Sequence, residues 1–361
     1  ESIPTHEDIK LGKPTRDRLI ANFQQNIRHC AAVGIKVICY NFMPVVDWCR
    51  TDLEWELPNG ARALRFDYIR FAAFELHILE RPGAENDYPA DVRAKAKALY
   101  ATFTQADIDY LIMVIASALP GSTTEPMTIP RFREKLREYA EINESVLRQH
   151  LVEFLEAVCL RADELGVKLT LHPDDPPRPL FGLPRIAKSE ADYQALFDAV
   201  PNASNGICFC TGSLGVNPIN DLVGMAERFG PRIHFAHLRN TLRDADGSFT
   251  ESDHLDGHSD MVAVVAELVD PRVEPVAPAD RPVQLGVAPA HQRVQLGQRL
   301  RLAHRGRQRH RPAARDAARY HGVDQRGAAG GADGVEHVRF VGRIGPDVAR
   351  AELVRVFELG Q

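Results

Sequence analysis

Apolar residues recur at helical spacing in several stretches of the chain, and short apolar runs separate these stretches. The stretch 15–34 places Leu19, Phe23 and Ile27 on one face and ends at Gly34, a residue type that often follows a helix. The same spacing predicts helices at 67–79, 91–118, 130–165, 188–199, 217–229 and 259–269. Apolar runs predict a buried strand at 35–41 and further strands at 167–172, 205–210 and 232–237. Strands separated by helices indicate an α/β fold with a parallel sheet.

Three of these strands end in turn on a metal-ligand type, which are His172, Cys210 and His237. The carboxyl ends of successive parallel strands lie side by side, so we expect the three side chains to converge. Taken singly, each has a structural interpretation, as a hydrogen-bonded histidine or a small buried cysteine. Taken together, they suit Mn, Fe, Co or Zn, and we expect their ligand atoms within about 5 Å of one another.

Two loops at this end of the predicted sheet are longer than a connection requires. The segment 42–67 is polar and aromatic, and long ordered loops are often functional. The segment 171–186 contains four closely spaced prolines and the charged residues Asp174, Asp175, Arg178 and Arg185. It is either a rigid connection or a pre-ordered wall whose charges meet an anionic substrate.

Composition limits the class of protein. The 361 residues are 44% hydrophobic and 26% charged, enough for one large α/β domain or two smaller ones. The net charge of -5 gives no reason to expect nucleic acid or an acidic membrane as a partner, and no apolar run is as long as a membrane span. The first residues lack the layout of a secretory signal, and six cysteines do not form a disulfide framework. We therefore expect a cytoplasmic protein.

Five motifs carry a resemblance to mannonate dehydratase, over about residues 1–269. They are YNFMPVVDWCRTDL (40–53), LHPDDPPRPLFGLPRI (171–186), CTGSLG (210–215), HFAHLRN (234–240) and HLDGHSDM (254–261). The resemblance implies a (β/α)₈ barrel related to the xylose-isomerase-like enzymes. It also implies a Mn²⁺ or Fe²⁺ enzyme that converts D-mannonate to 2-keto-3-deoxy-D-gluconate in hexuronate catabolism.

The resemblance also implies roles for single residues. His172, Cys210 and His237 stand at the positions of the family's metal ligands. Four residues in or beside the motif loops are candidates for substrate binding, namely Asn41, Arg50, Arg178 and Arg239. Each arginine has an alternative role in a structural ion pair with a nearby aspartate. His6 is a weaker candidate of the same kind, with a solvent-exposed loop residue as the alternative.

The chain departs from the family pattern at both ends. It begins where the family's second barrel strand ends, so we expect an incomplete barrel that lacks two strands, with the last strands in doubt. After residue 269, the segments that supply a fourth ligand and the catalytic His and Tyr have no clear counterpart, so the catalytic residues are not identified. Asp280 is a weak candidate for the fourth ligand. The expected domains are a partial barrel at 1–269 and a divergent region at 270–361.

The divergent region is rich in arginine. Residues 281–320 hold ten arginines and one acid, Asp316. A nucleic-acid arm is one interpretation, but a disrupted reading frame explains both the composition and the position, and we favour it. The activity of this chain itself therefore stays open.

Two other functions are compatible with these observations. An isomerase or epimerase of the same barrel group would share the metal and the fold, although such enzymes draw more on carboxylate and histidine ligands. An inactive remnant of the dehydratase would retain metal binding alone. The expected partners are a small sugar acid and, as an open possibility, further copies of the same chain.

Overall fold

A computed structural model describes residues 2–116 and 128–269 of the chain. Eight strands lie in this part: β1 (Val37–Tyr40), β2 (Asp52–Glu56), β3 (Arg62–Phe66), β4 (Lys168–Leu171), β5 (Asn205–Cys210), β6 (Ile233–His237), β7 (Asn240–Arg243) and β8 (Phe249–Ser252). The α-helices of the same part are α1 (Glu7–Lys10), α2 (Arg16–Ala32), α3 (Tyr68–Ala73), α4 (Ala90–Tyr100), α5 (Gln105–Leu111), α6 (Ile129–Glu138), α7 (Glu144–Glu164), α8 (Glu190–Ala199), α9 (Thr211–Val216), α10 (Leu222–Phe229) and α11 (Met261–Leu268).

Four strands form a parallel sheet, called here the barrel sheet, in the order β1-β4-β5-β6. Helices connect its successive strands, as the alternating pattern of the sequence predicts. Ser2 pairs in parallel with Cys39, so the chain already follows the outer edge of β1 at its first described residues. The α/β fold class is confirmed, and the barrel sheet is consistent with an incomplete (β/α)₈ barrel.

Successive side chains along the strands of the barrel sheet point alternately toward the surrounding helices and toward the interior of the barrel. Ile38, Leu169 and Ile207 are fully buried in one apolar core with residues of α2, α7, α8 and α10. Helix α7 contributes a buried stripe, and its Asn143 N-cap accepts a hydrogen bond from Val146 N. The alternate strand residues point to the other face, which leads to His172, Cys210 and His237 at the strand ends.

A second sheet, called here the cap sheet, is antiparallel and has the order β2-β3-β8-β7. Its two hairpins follow the carboxyl ends of β1 and β6, so the cap sheet lies at the ligand end of the barrel sheet. Neither hairpin is among the predicted elements, and the first lies in the segment 42–67, which was predicted to be a loop. The signals were present, because Asn59-Gly60 and Asp246-Gly247 are strong hairpin dipeptides.

Helices α3 to α6 form a separate group, called here the helical cap, around a second apolar core that contains Phe66, Phe181 and Phe249. Two predicted helices are broken here. The stretch 91–118 divides into α4 and α5 because Thr104 forms a capping box with Asp107. The stretch 130–165 divides into α6 and α7 because Asn143 starts a new helix.

Some sequence-based predictions concern residues that the structure does not describe. The divergent region 270–361, Asp280 and the last barrel strands all lie outside the described residues. Within the ranges that the structure describes, no helix combines the length and the apolar composition needed to cross a bilayer.

Candidate metal centre

The structure brings the three strand-end residues together. His172 follows β4, Cys210 ends β5 and His237 ends β6, and Cys210 pairs directly with His237 in the sheet register. One ligand atom from each residue lies within 4.8 Å of the other two. Ligands at about 2.0–2.3 Å from a single ion are at most about twice that distance apart, so the spacing fits one ion.

Cys210 has a second structural role as the N-cap of α9. Its sulfur accepts a hydrogen bond from Ser213 N at 3.5 Å and lies 3.3 Å from Ser213 Oγ. Burial would raise the pKa of the Cys210 thiol, but Arg239, His237 and His172 outweigh it and lower that pKa well below its ordinary value. Cys210 is therefore poised as a thiolate, the form that binds metals.

His172 is oriented by the backbone. Its Nδ1 lies 2.8 Å from Pro173 O, and because a carbonyl only accepts, Nδ1 carries the hydrogen. Its Nε2 is then the atom that faces Cys210 and would bind a metal ion once its hydrogen is released, an arrangement that is common among metal-binding histidines. Burial would lower the pKa of His172, but the Cys210 sulfur raises it to about 9.

Four charged side chains lie beside these ligands and form what we call the ion cluster: Arg50, Asp175, Arg239 and Glu251. Arg50 donates to both oxygens of Asp175, at 2.7 and 3.1 Å, and to Glu251 at 3.0 Å. Arg239 pairs with the same two acids. Burial would raise the pKa of Asp175, but Arg50 and Arg239 hold it well below its usual range. The cluster is formally neutral, with two charges of each sign.

The candidates for substrate binding are not all placed alike. Asn41 follows β1 beside His172, and its Oδ1 accepts from Met43 N at 3.3 Å. Arg50 and Arg239 direct both terminal nitrogens to partners within the protein. Their alternative role, as structural ion pairs, is therefore present, and substrate contact stays a prediction. His6 is exposed and accepts a hydrogen bond from Asp8 N at the start of α1.

Arg178 lies at a different place. Its guanidinium stands 4.3 Å from the ring centre of Tyr68. It lines a cavity of about 370 Å³ together with Pro176, Arg243 and the turn between β7 and β8. Its role in substrate binding stays a prediction, and this cavity does not include His172, Cys210 or His237.

Two neighbours of the candidate metal centre, Ser213 and Glu251, are not among the residues predicted from the sequence. Ser213 contacts the Cys210 sulfur, and its signal was the CTGS motif, in which the residue three after an N-cap faces that cap. Glu251 joins the ion cluster from β8, and no sequence signal could have found it, because it arrives from a hairpin that pairs with β3 far away in the chain.

Known proteins of one family are similar to this chain. The model of the D-mannonate dehydratase (UxuA) family matches residues 1–299. The mannonate dehydratase of Brucella suis biovar 1 is 59% identical over 271 residues, which are 75% of this chain and 68% of that protein. The mannonate dehydratase of Chromohalobacter salexigens is 53% identical over 270 residues, 74% of this chain and 69% of that protein.

A solved structure supports the same relationship. The crystal structure of mannonate dehydratase from Streptococcus suis serotype 2 matches with a TM-score of 0.55 at 30% identity, covering 85% of this chain and 76% of that chain. The family match covers most of the sequence, and the relatives share more than half of the aligned residues. The chain therefore belongs to the D-mannonate dehydratase family, a family of metal-dependent hydro-lyases.

Proposed function

We propose that this protein catalyses the metal-dependent dehydration of D-mannonate to 2-keto-3-deoxy-D-gluconate in hexuronate catabolism, with Mn²⁺ or Fe²⁺ held by His172, Cys210 and His237. The single observation that carries the proposal is the convergence of these three side chains within 4.8 Å at the motif positions of the family. One thiolate and two imidazoles are a donor set that first-row transition metals accept.

The reaction explains why a cation is needed. Dehydration removes a proton next to the carboxylate of the sugar acid and expels the neighbouring hydroxyl, and both changes place negative charge on oxygen. When bound, the divalent metal supplies a Lewis acid that stabilises this charge. The chain's own contribution is to fix the ligand side chains at the strand ends and to keep the Cys210 sulfur ionised.

The protein offers one side chain close to where the substrate would bind. Asn41 extends from the end of β1 next to β4 and His172, and its side-chain amide has donors for a substrate hydroxyl. We propose it as the first contact to test. Arg50 and Arg239 support the site through the ion cluster, and any direct contact they make to the substrate carboxylate competes with Asp175 and Glu251.

The setting of the enzyme is part of the proposal. All six cysteines are free, including Cys39 and Cys208 in the barrel sheet, which supports a reducing compartment such as the cytoplasm. Self-association of the chain also stays a prediction, to be measured by sedimentation.

The experiment is an assay of D-mannonate with the purified chain and Mn²⁺ or Fe²⁺, followed by NMR. We expect a 2-keto-3-deoxy acid to form, and we expect a chelator or His237→Ala to abolish its formation. Binding of metal at the three residues without any turnover would overturn the proposal in favour of an inactive remnant. In a parallel assay with aldoses in place of D-mannonate, interconversion of an aldose and a ketose would favour the isomerase.

A further inference from the structure

We propose that Ser213 is a positioning residue that fixes the Cys210 sulfur toward His172 and His237, and that Asp175 and Arg239 hold the Ser213 hydroxyl in place for this purpose. The inference rests on the proposed metal site and deepens it. It gives the ion cluster a positioning function at the metal site, in addition to the effect of Arg239 on the pKa of the Cys210 thiol.

The contacts of Ser213 form a bridge between the two groups. Its Oγ lies 3.3 Å from Cys210 Sγ, 3.1 Å from Asp175 Oδ2 and 2.9 Å from Arg239 Nη2. Its backbone N–H also points at the sulfur, at 3.5 Å. One residue therefore offers the sulfur two donors, from its hydroxyl and from its backbone.

The Ser213 hydroxyl has a single hydrogen, and the other contacts of its neighbours determine which acceptor gains most from it. Arg239 donates to Oγ, so that contact takes an oxygen lone pair. Asp175 Oδ2 already accepts from Arg50 and Arg239. The Cys210 sulfur accepts from Ser213 N and from the His172 side chain. His172 gives up that hydrogen when it binds a metal ion, so the hydroxyl hydrogen then contributes most when it is directed to the thiolate.

Burial makes the bridge rigid. The side chains of Ser213, Cys210, Asp175 and Arg50 are all at most 1% exposed. Arg50 is also placed between two aromatic rings, 4.8 Å from the ring centres of Trp48 and Phe249. The terminal nitrogens of Arg50 and Arg239 all have partners in this network, which leaves few alternative rotamers, so the position of Oγ is set before any ligand binds.

The rest of the CTGS motif serves the same geometry. Thr211 Oγ1 donates to Arg239 O at 2.6 Å and accepts from Arg239 N at 3.0 Å, which fixes the backbone of Arg239. Gly212 has no side chain where a Cβ would overlap the Arg239 side chain. Thr211 and Gly212 thus allow the Arg239 side chain to reach the Ser213 hydroxyl, which explains these two residue types between Cys210 and Ser213.

The test measures Co²⁺ binding by the full chain and by Ser213→Ala, Ser213→Thr and Ser204→Ala. A thiolate bound to Co²⁺ gives a charge-transfer band in the near ultraviolet, so the spectrum reports on the Cys210 sulfur itself. Loss of an outer-shell partner weakens metal binding by about 10–100-fold, and we expect this loss and a shifted band for Ser213→Ala. Ser213→Thr keeps the hydroxyl and should restore both.

Ser204→Ala is the matched control. Ser204 is also fully buried, and its hydroxyl donates to Cys159 O at 3.1 Å, but it precedes β5 and so lies at the opposite end of that strand from Cys210. We expect its Co²⁺ affinity and band to be unchanged. An unaltered spectrum and affinity in Ser213→Ala would overturn the inference, as would an equal loss in Ser204→Ala or a failure of Ser213→Thr to restore the band.

The inference and the proposed function can fail separately. If the band of the unaltered chain persists in Cys210→Ser, the sulfur is not a ligand and the metal site itself is wrong. If the band depends on Cys210 but is indifferent to Ser213→Ala, the metal site stands and only the positioning role is lost.

Discussion

Two buried acids in different regions of the protein behave in opposite ways. Asp175, at the ligand end of the barrel sheet, and Glu75, in the helical cap, are both 1% exposed. Burial raises the pKa of Glu75, and its partners Arg81 and Tyr88 do not reverse this. Burial acts in the same direction on Asp175, but Arg50 and Arg239 lower its pKa instead. The pKa shifts differ in direction because two arginines pair with Asp175 and one arginine pairs with Glu75, and not because one acid is more deeply buried.

The ligand end of the barrel sheet therefore has the electrostatics of a functional site, whereas the helical cap has those of a structural core. The ligand end keeps its acid ionised by two arginines, the buried Arg50 and the half-buried Arg239, and the same Arg239 lowers the pKa of the Cys210 thiol. Perturbed ionisation with named charge partners is typical of functional regions. In the helical cap, the acid instead completes a hydrogen-bond network between Tyr88 and Arg81.

The largest effect is expected from Asp175→Asn. The change leaves the buried Arg50 and the half-buried Arg239 with only Glu251 as a counter-charge, and breaking a buried ion pair by removal of one partner costs about 3–5 kcal/mol. Urea unfolding measures the loss. Glu54→Gln is the control, because its pair with Arg62 is more than 60% exposed and should contribute less than about 1 kcal/mol.

The pH dependence sharpens the same prediction. A carboxylate with a lowered pKa in the folded state contributes stability that is present above its unfolded pKa of about 3.9 and is lost only as the pH falls through the lower folded value. The deficit of Asp175→Asn should therefore be the same at pH 7 and pH 5. A deficit that disappears by pH 5 would show that Asp175 is not held ionised by its two arginines.

An intermediate effect is expected from Glu251→Gln. Glu251 bridges Arg50 and Arg239 from β8, but its side chain is 23% exposed, and Asp175 remains to balance both arginines. Loss of a charge-assisted hydrogen bond at a partly solvated position costs about 1–2 kcal/mol. The loss in unfolding free energy should fall between those of Asp175→Asn and Glu54→Gln, and a loss equal to that of Asp175→Asn would contradict the ranking.

The smallest effect is expected from Glu75→Gln. Because the pKa of Glu75 is raised on folding, its ionised form is less favourable in the folded chain than in the unfolded one. Stability then falls as the pH rises above the unfolded value of about 4.3, and the amide removes this fall. Relative to the unaltered chain, the variant should therefore gain stability between pH 4 and pH 7. A loss as large as that of Asp175→Asn would break the comparison.

The ligand residues were predictable because the geometry of individual strands in a parallel sheet is enough to place them. Side chains alternate along a strand, and parallel strands end at one face, so the three strand ends were enough to bring His172, Cys210 and His237 together. An ion pair with a nearby aspartate was one of the two roles predicted for Arg50 and Arg239, but the sequence did not show that both arginines share Asp175. Glu251, their second partner, was not predictable, because it arrives through the antiparallel pairing of the cap sheet.

The most direct test of the metal site is X-ray absorption at the metal edge of the Zn²⁺- or Co²⁺-loaded chain. For Zn²⁺, the proposed set predicts one sulfur at about 2.3 Å and two imidazole nitrogens at about 2.0–2.1 Å. Cys210→Ser should remove the sulfur shell and leave the two nitrogens. A first shell of nitrogen and oxygen alone in the unaltered chain would contradict the assignment of His172, Cys210 and His237 as a single metal centre.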